Sequence, residues 1–204
     1  MYTLHNQRGI SLIELIMFIV IVSVALAGIL LVMNVTTKSS ADPLIHKQAL
    51  AIAESLLEEV ELMPFTYCDP DDPNAANPTT TTAANCTGGT GGANDESAII
   101  GPEGAGSVGG AEGRYAAPQF DNVSDYNNFN MPVGATKDIT NTTVGPAGYA
   151  VAVAVANNGM PAAGASLAIP NTEALLITVT VTGPDNVPVV LEGIRTRYSP
   201  RGVP

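Results

Sequence analysis

A long apolar run near the N-terminus constrains this chain more than any other feature of its sequence. Leu15 to Met33 comprises nineteen residues, and only Ser23 and Gly28 interrupt their apolar character. About 20 apolar residues span the hydrocarbon core of a bilayer as a helix. A secretory signal peptide is the competing interpretation, but its apolar region is only about 7–15 residues long and ends at a small-residue cleavage site. The run therefore predicts a transmembrane helix over about residues 12–35.

Charged residues are scarce in this chain, and most of them are acidic. They make up 13% of the sequence, with 19 Asp and Glu against 8 Lys and Arg and a net charge of −11. Roughly 25% of an average globular domain is charged. Because phosphate binding requires clustered Lys and Arg, this composition argues against nucleic acid as a partner.

A carboxylate, Glu14, lies at the start of the apolar run. Such a group costs about 2.5–3.5 kcal/mol at the centre of a membrane helix, so in an ordinary anchor Glu14 would lie at the interface and reach the headgroups. The surrounding stretch from Arg8 to Ile16 reads RGISLIELI. This stretch resembles the cleavage and methylation signal of the type IV pilin family, in which most members have Phe at the position of Ile10.

The resemblance implies a processing pathway. Prepilin peptidase would cut after Gly9, Ile10 would become the N-methylated first residue, and Glu14 would be needed for filament assembly. The N-terminus would be cytoplasmic, in keeping with Arg8 before the span. The chain would cross the inner membrane once, with its C-terminal domain in the periplasm, and would then enter a pilus or pseudopilus filament.

The resemblance also implies a fold and a set of partners. The expected fold class is α+β and type IV pilin-like, with a long N-terminal helix, transmembrane in its first half, packed on a C-terminal antiparallel β-sheet. The expected partners are prepilin peptidase, other pilin subunits, the inner-membrane assembly platform and membrane lipid. No cofactor and no metal is expected.

The chain divides into four segments. Residues 1–9 are the leader that the resemblance implies. Residues 10–63 are predicted to form the long helix, because apolar residues recur every three or four positions up to Met63. Pro43 leaves open whether the helix restarts there or continues with a kink. The acidic residues of its outer half are expected on a solvated face, with a docking surface for another subunit as the alternative. These residues are Glu54, Glu58, Glu59 and Glu61.

Residues 64–113 are rich in Asp, Pro, Asn, Thr and Gly, which predicts a loop without long regular elements. Cys68 and Cys86 flank its first part, and an outward-facing location favours a disulfide between them. A metal site on these cysteines is the weaker alternative, since no histidine lies nearby. The acidic run 69–72 could provide calcium ligands, but it lacks the spacing of an EF-hand loop. A solvated turn is therefore the favoured interpretation.

Residues 114–204 are predicted to form the sheet domain. Residues 149–156 and 174–182 alternate between two side-chain classes, as strands do, and 187–197 predicts a third strand that pairs with the second as a hairpin. Aromatic residues at 115–129 are expected to pack across the junction of helix and sheet. The last basic residues are expected to be exposed edge-strand charges: Arg195, Arg197 and Arg201.

Three short segments narrow the functional prediction. Residues 40–43, 56–59 and 120–129 resemble minor pilins of the mannose-sensitive haemagglutinin (MSHA) pilus. A minor pilin subunit that is assembled into, or primes, an MSHA-type filament is the favoured function. A pseudopilin of a type II secretion system and a single-pass membrane-anchored binding domain are the alternatives. An enzyme is not expected, because the mature chain would keep only His46 and has no recognisable catalytic motif.

Overall fold

The computed structural model describes residues 9, 11–77, 80–97, 100–134, 136–158 and 169–197, with residues 38–42 described by their backbone alone. The chain divides into two compact units, Met1–Leu44 and Ile45–Pro204. Its regular elements are one long helix, four strands and two short 3₁₀ helices. They are α1 (Leu12–Leu62), the 3₁₀ turns Ala83–Asn85 and Ser124–Tyr126, β1 (Asn130–Met131), β2 (Ala150–Asn157), β3 (Ala174–Thr182) and β4 (Pro188–Thr196).

The first unit consists of the apolar part of α1. Leu12–Thr37 is long and apolar enough to cross a membrane, and none of it is buried within the protein. Its hydroxyl groups are satisfied locally, since Ser23 Oγ donates to the Ile19 carbonyl at 2.7 Å and Thr36 Oγ1 to the Val32 carbonyl at 2.5 Å. A lipid environment offers no other partners for such groups. Pro43 lies inside α1, so the helix does not restart there.

The second unit packs the outer part of α1 on the sheet. The buried face of the helix carries residues spaced by four, three and four positions, as one stripe of an α-helix requires. Val and Leu side chains contribute about 1.5–3 kcal/mol each when fully buried. The core includes Ala49, Ala53, Leu56 and Val60 of α1, Val151, Val153 and Val155 of β2, and Leu175, Ile177, Val179 and Val181 of β3.

The sheet is antiparallel throughout, in the order β1-β2-β3-β4. Val153 pairs with Val179, and Val179 pairs with Leu191, so the apolar residues of neighbouring strands share the face towards α1. Asn186 N donates to the Gly183 carbonyl at 3.0 Å and closes the turn between β3 and β4. The predicted α+β architecture of a long helix on an antiparallel sheet is confirmed, including the C-terminal hairpin.

Between helix and sheet, the described part of 64–113 contains a single short 3₁₀ turn, Ala83–Asn85. A disulfide joins Cys68 and Cys86, whose Cα atoms are 5.3 Å apart, and both residues are buried. The solvated turn expected at 69–72 is wrong for Asp69 and Asp72, which are buried. The reason is that backbone amides cap them. Asp69 Oδ1 accepts from Asp71 N at 2.7 Å, and Asp72 accepts from the amides of Asn74 and Thr87 at 2.9 and 2.6 Å.

Candidate functional site

The residues of the processing motif lie at the beginning of α1. Gly9 is exposed, and no atom lies within 4 Å of the position that a Cβ would take there. The backbone at Gly9 is therefore accessible, as a protease substrate requires. Ile10, the expected methylation site, and the leader residues 1–8 lie outside the described residues.

Glu14 lies in the first turn of α1. A carboxylate in this position interacts favourably with the exposed amides and the dipole of a helix N-terminus, by about 0.3–1 kcal/mol. Among the described residues, none forms an ion pair or hydrogen bond with Glu14. The side chain thus keeps an unpaired negative charge at the start of an apolar helix, where a cationic group of another molecule would be a suitable partner.

The N-terminal part of α1, on both sides of Glu14, exposes apolar side chains in every direction. A soluble monomer rarely exposes such a large apolar surface, so this helix requires lipid or other helices around it. The exposed large apolar residues are Leu12, Ile13, Leu15, Ile16, Met17, Phe18, Ile19, Val20, Ile21, Val24, Leu26, Ile29, Leu30, Leu31, Val32, Met33 and Val35.

An ion pair connects the outer part of α1 to the segment after the loop. Arg114 Nε and Nη2 donate to the two carboxylate oxygens of Glu59 at 2.7 and 2.6 Å, and Tyr126 OH donates to Glu59 Oε1 at 2.8 Å. Burial lowers the pKa of Arg114, but the hydrogen bond and charge of Glu59 outweigh it and raise the value. The prediction of a solvated acidic face is wrong for Glu59, because its carboxylate has three donors there.

Aromatic rings surround this ion pair. Phe120, Tyr126 and Phe129 form edge-to-face contacts with centroids 5.1–6.3 Å apart, and Tyr115 joins Phe129 at 6.2 Å. Three of these residues contact the core between helix and sheet, as the sequence predicts for this aromatic segment. The Arg114 guanidinium lies 5.0 Å from the centre of the Tyr115 ring.

Arg197 is buried and not the exposed edge charge that the sequence predicts. Its guanidinium lies 3.8 and 4.2 Å from the ring centres of Phe65 and Tyr67, and it donates to the Thr66 carbonyl. Glu173 is its ion-pair partner at 3.4 Å. Burial lowers the pKa of Arg197 to about 10. Arg195 is half-buried, and Arg201 lies outside the described residues.

Seven carboxylates come together between the disulfide-bonded loop and the aromatic segment. We call these residues the acidic cluster. In each of its two groups, carboxylate oxygens from all members lie within 4.8 Å of one another. The group of four is Asp69, Asp71, Glu112 and Asp121, and the group of three is Glu96, Glu103 and Asp125.

Burial raises the pKa of five members of the acidic cluster: Asp69, Glu103, Glu112, Asp121 and Asp125. Burial, followed by the charges of neighbouring carboxylates, raises the pKa of Asp121 and of Asp125 to about 7. Burial and the neighbouring Glu103 raise the pKa of Glu112 to about 10. The sequence contains one indication of this cluster: residues 64–129 include nine of the 19 acidic residues and one basic residue, Arg114.

Comparison with known proteins identifies the N-terminal segment. Residues 4–30 match the family model described as the prokaryotic N-terminal methylation motif. No curated protein and no solved structure matches the chain. The matched segment includes Gly9, Ile10 and Glu14, and it continues into the apolar part of α1. This prepilin-type motif supports the type IV pilin-like family and indicates a pilin or pseudopilin substrate of prepilin peptidase.

Proposed function

We propose that this chain is a minor pilin subunit of an MSHA-type type IV pilus and has a structural role, without enzymatic activity. The observation that carries the proposal is the combination of the methylation motif at residues 4–30 with an apolar helix of which no part is buried by the described residues. In the membrane, lipid surrounds this helix. In a filament, the helices of neighbouring subunits replace the lipid.

Glu14 has a specific role in this proposal. After cleavage, the α-amino group of Ile10 in a neighbouring subunit provides a positive charge close to the carboxylate. In the apolar interior of a filament, each charge offsets the desolvation cost of the other. The pairing of Glu14 with this amine then sets the axial position of each incoming subunit.

The assignment to the MSHA type is based on residues 40–43, 56–59 and 120–129, which resemble minor pilins of that pilus. The last two segments contact each other, through the hydrogen bond from Tyr126 to Glu59. These two parts of the resemblance therefore belong to one packed region of the second unit. A pseudopilin of a type II secretion system has the same N-terminal features and is the second candidate.

The intact mass of the protein extracted from membranes tests the processing step. Loss of residues 1–9 together with one added methyl group supports the pilin pathway. A chain that retains Met1–Gly9 would instead be an ordinary membrane-anchored binding domain. Co-purification with MSHA pili, compared with secretion-system components, then separates the minor pilin from the pseudopilin.

Substitution of Glu14 tests the assembly step. Glu14→Leu should leave cleavage after Gly9 intact but prevent incorporation into filaments. Ser23→Ala is the matched control, because it removes a polar side chain within the apolar run whose hydroxyl donates to the Ile19 carbonyl of its own helix. If the Glu14→Leu variant entered filaments at wild-type stoichiometry, the proposed role of Glu14 would be wrong.

A further inference from the structure

The dimensions of the acidic cluster match those of a calcium site. Ca²⁺ binds oxygen ligands at about 2.3–2.6 Å, so two oxygens on one ion are no more than about 5.2 Å apart. In each group, one carboxylate oxygen from every member lies within 4.8 Å of those from the others. One ion can therefore contact every member of the group of four without a large rearrangement.

Several carboxylates of the acidic cluster are buried with an oxygen that has no hydrogen-bond partner. Asp69, Glu96, Glu103 and Asp125 are at least nine-tenths buried. The unpartnered atoms are Asp69 Oδ2, Glu96 Oε1, Glu103 Oε2 and Asp125 Oδ1. A buried carboxylate oxygen without a donor is costly, so these atoms point to a missing positive partner.

The second oxygen of three of these carboxylates is held by the protein. Asp69 Oδ1 accepts from Asp71 N at 2.7 Å, and Asp125 Oδ2 accepts from Asn122 N at 2.6 Å. Ser124 Oγ donates to Glu96 Oε2. In each of these carboxylates, the hydrogen bond to one oxygen fixes the orientation of the group. The other oxygen remains available to coordinate a metal ion.

The described residues provide no cation for the acidic cluster. No Lys, Arg or His in the part of the chain that the structure describes is hydrogen-bonded or ion-paired to any of the seven residues. The guanidinium of the nearby Arg114 instead forms an ion pair with Glu59. A bound metal ion can supply the positive charge that the side chains do not.

The chemistry of the ligands selects the type of ion. All seven side chains offer oxygen, and no nitrogen or sulfur ligand belongs to either group, which favours a hard cation. Mg²⁺ usually retains several waters and binds one or two carboxylates, whereas Ca²⁺ accepts six to eight oxygens in flexible arrangements. We propose that the acidic cluster binds calcium, with at least one Ca²⁺ held by Asp69, Asp71, Glu112 and Asp121.

Calcium titration of the full-length protein in detergent micelles tests this proposal. The protein is first freed of metal with EGTA and then titrated with CaCl₂ in a calorimeter, and its thermal unfolding is measured in both states. Saturable heat and a higher melting temperature with calcium are expected, with a smaller effect of MgCl₂ at equal concentration. Absence of both the heat and the shift at neutral pH would overturn the proposal and indicate that protons neutralise the carboxylates.

The variants Glu112→Gln and Asp71→Asn separate ion binding from a structural role. Among the described residues, neither carboxylate accepts a hydrogen bond from a backbone amide or a hydroxyl. Each change should weaken calcium binding by roughly tenfold, since ligand charge sets the affinity. The metal-free variants should be at least as stable as the metal-free wild type, because the amide that replaces each carboxyl group loses no hydrogen bond from a backbone amide or a hydroxyl. Glu54→Gln, at an exposed position on α1, is the matched control and should bind calcium normally. Wild-type affinity in both cluster variants, or equal destabilisation with and without calcium, would contradict the proposal.

Discussion

Replacing Glu59 by glutamine should lower the free energy of unfolding by about 3 kcal/mol. The loss of one member of a buried ion pair costs about 3–5 kcal/mol, because the remaining charge stays buried without compensation. The side chain of Arg114 is only 3% exposed, whereas that of Glu59 is 18% exposed. Arg114 would keep bonds to Tyr115 Oη at 2.7 Å and to the Lys137 carbonyl at 3.0 Å. These acceptors place the expected loss at the lower end of the range.

The measurement is urea unfolding of the full-length protein in detergent micelles, followed by far-ultraviolet circular dichroism. Glu58→Gln is the matched control, since Glu58 is the exposed neighbour on α1 and should change stability by no more than about 0.5 kcal/mol. The single variant Arg114→Met and the double variant Glu59→Gln/Arg114→Met complete a double-mutant cycle for this ion pair. The double variant should be more stable than Glu59→Gln alone, because no unpaired guanidinium remains.

Two results would refute this reasoning. The first is a Glu59→Gln variant that is as stable as Glu58→Gln, which would mean that Arg114 finds solvent or another acceptor at little cost. The second is additivity: the free energies of unfolding lost in Glu59→Gln and in Arg114→Met alone would sum to the loss in the double variant. The two residues would then act independently.

Three further predictions concern the second unit, Ile45–Pro204. Reduction of the Cys68–Cys86 disulfide should lower the free energy of unfolding by about 3 kcal/mol, measured as a shift of the urea midpoint, and an unchanged midpoint would contradict this. Arg197→Lys should cost about 1–2 kcal/mol in the same assay, because an ammonium cannot cover two rings as a guanidinium does, and full stability would argue against the stacking. Burial and the bond to Glu59 raise the pKa of Tyr126, so its stabilising contribution is complete below the ordinary tyrosine pKa of about 10 and is lost at higher pH. Absorbance titration should show a tyrosine that ionises only on unfolding, and Tyr126→Phe should remove that step.

The sequence predicts those parts of the fold that depend on local periodicity. Apolar residues spaced by three or four positions identify the outer part of α1, and the alternation of Val or Ile with Thr identifies β3. The two-residue strand β1, Asn130–Met131, is too short to show any alternation and was not predicted. Its pairing with β2 depends on the tertiary structure alone.

The buried charges could not be predicted because their partners lie far away in sequence. Glu59 and Arg114 are 55 positions apart, and Arg197 and the Thr66 carbonyl are 131 apart. Viewed locally, each charge looks like a surface residue. The acidic cluster is assembled from several stretches between Asp69 and Asp125, so no single motif reveals it. Only the excess of acidic residues in this part of the chain is visible beforehand.

The helix α1 lies far from its sheet in sequence, and this affects the order of folding. The helix face from Ala49 to Val60 is buried against β2 and β3, yet the ribosome makes it long before either strand. Contacts between such distant segments form late, and apolar surface that is exposed meanwhile promotes aggregation. We therefore expect a chaperone or the membrane surface to shield this face of the nascent chain until β3 emerges from the ribosome. Truncations within the C-terminal hairpin should leave this face of the helix uncovered, and proteases should degrade such chains.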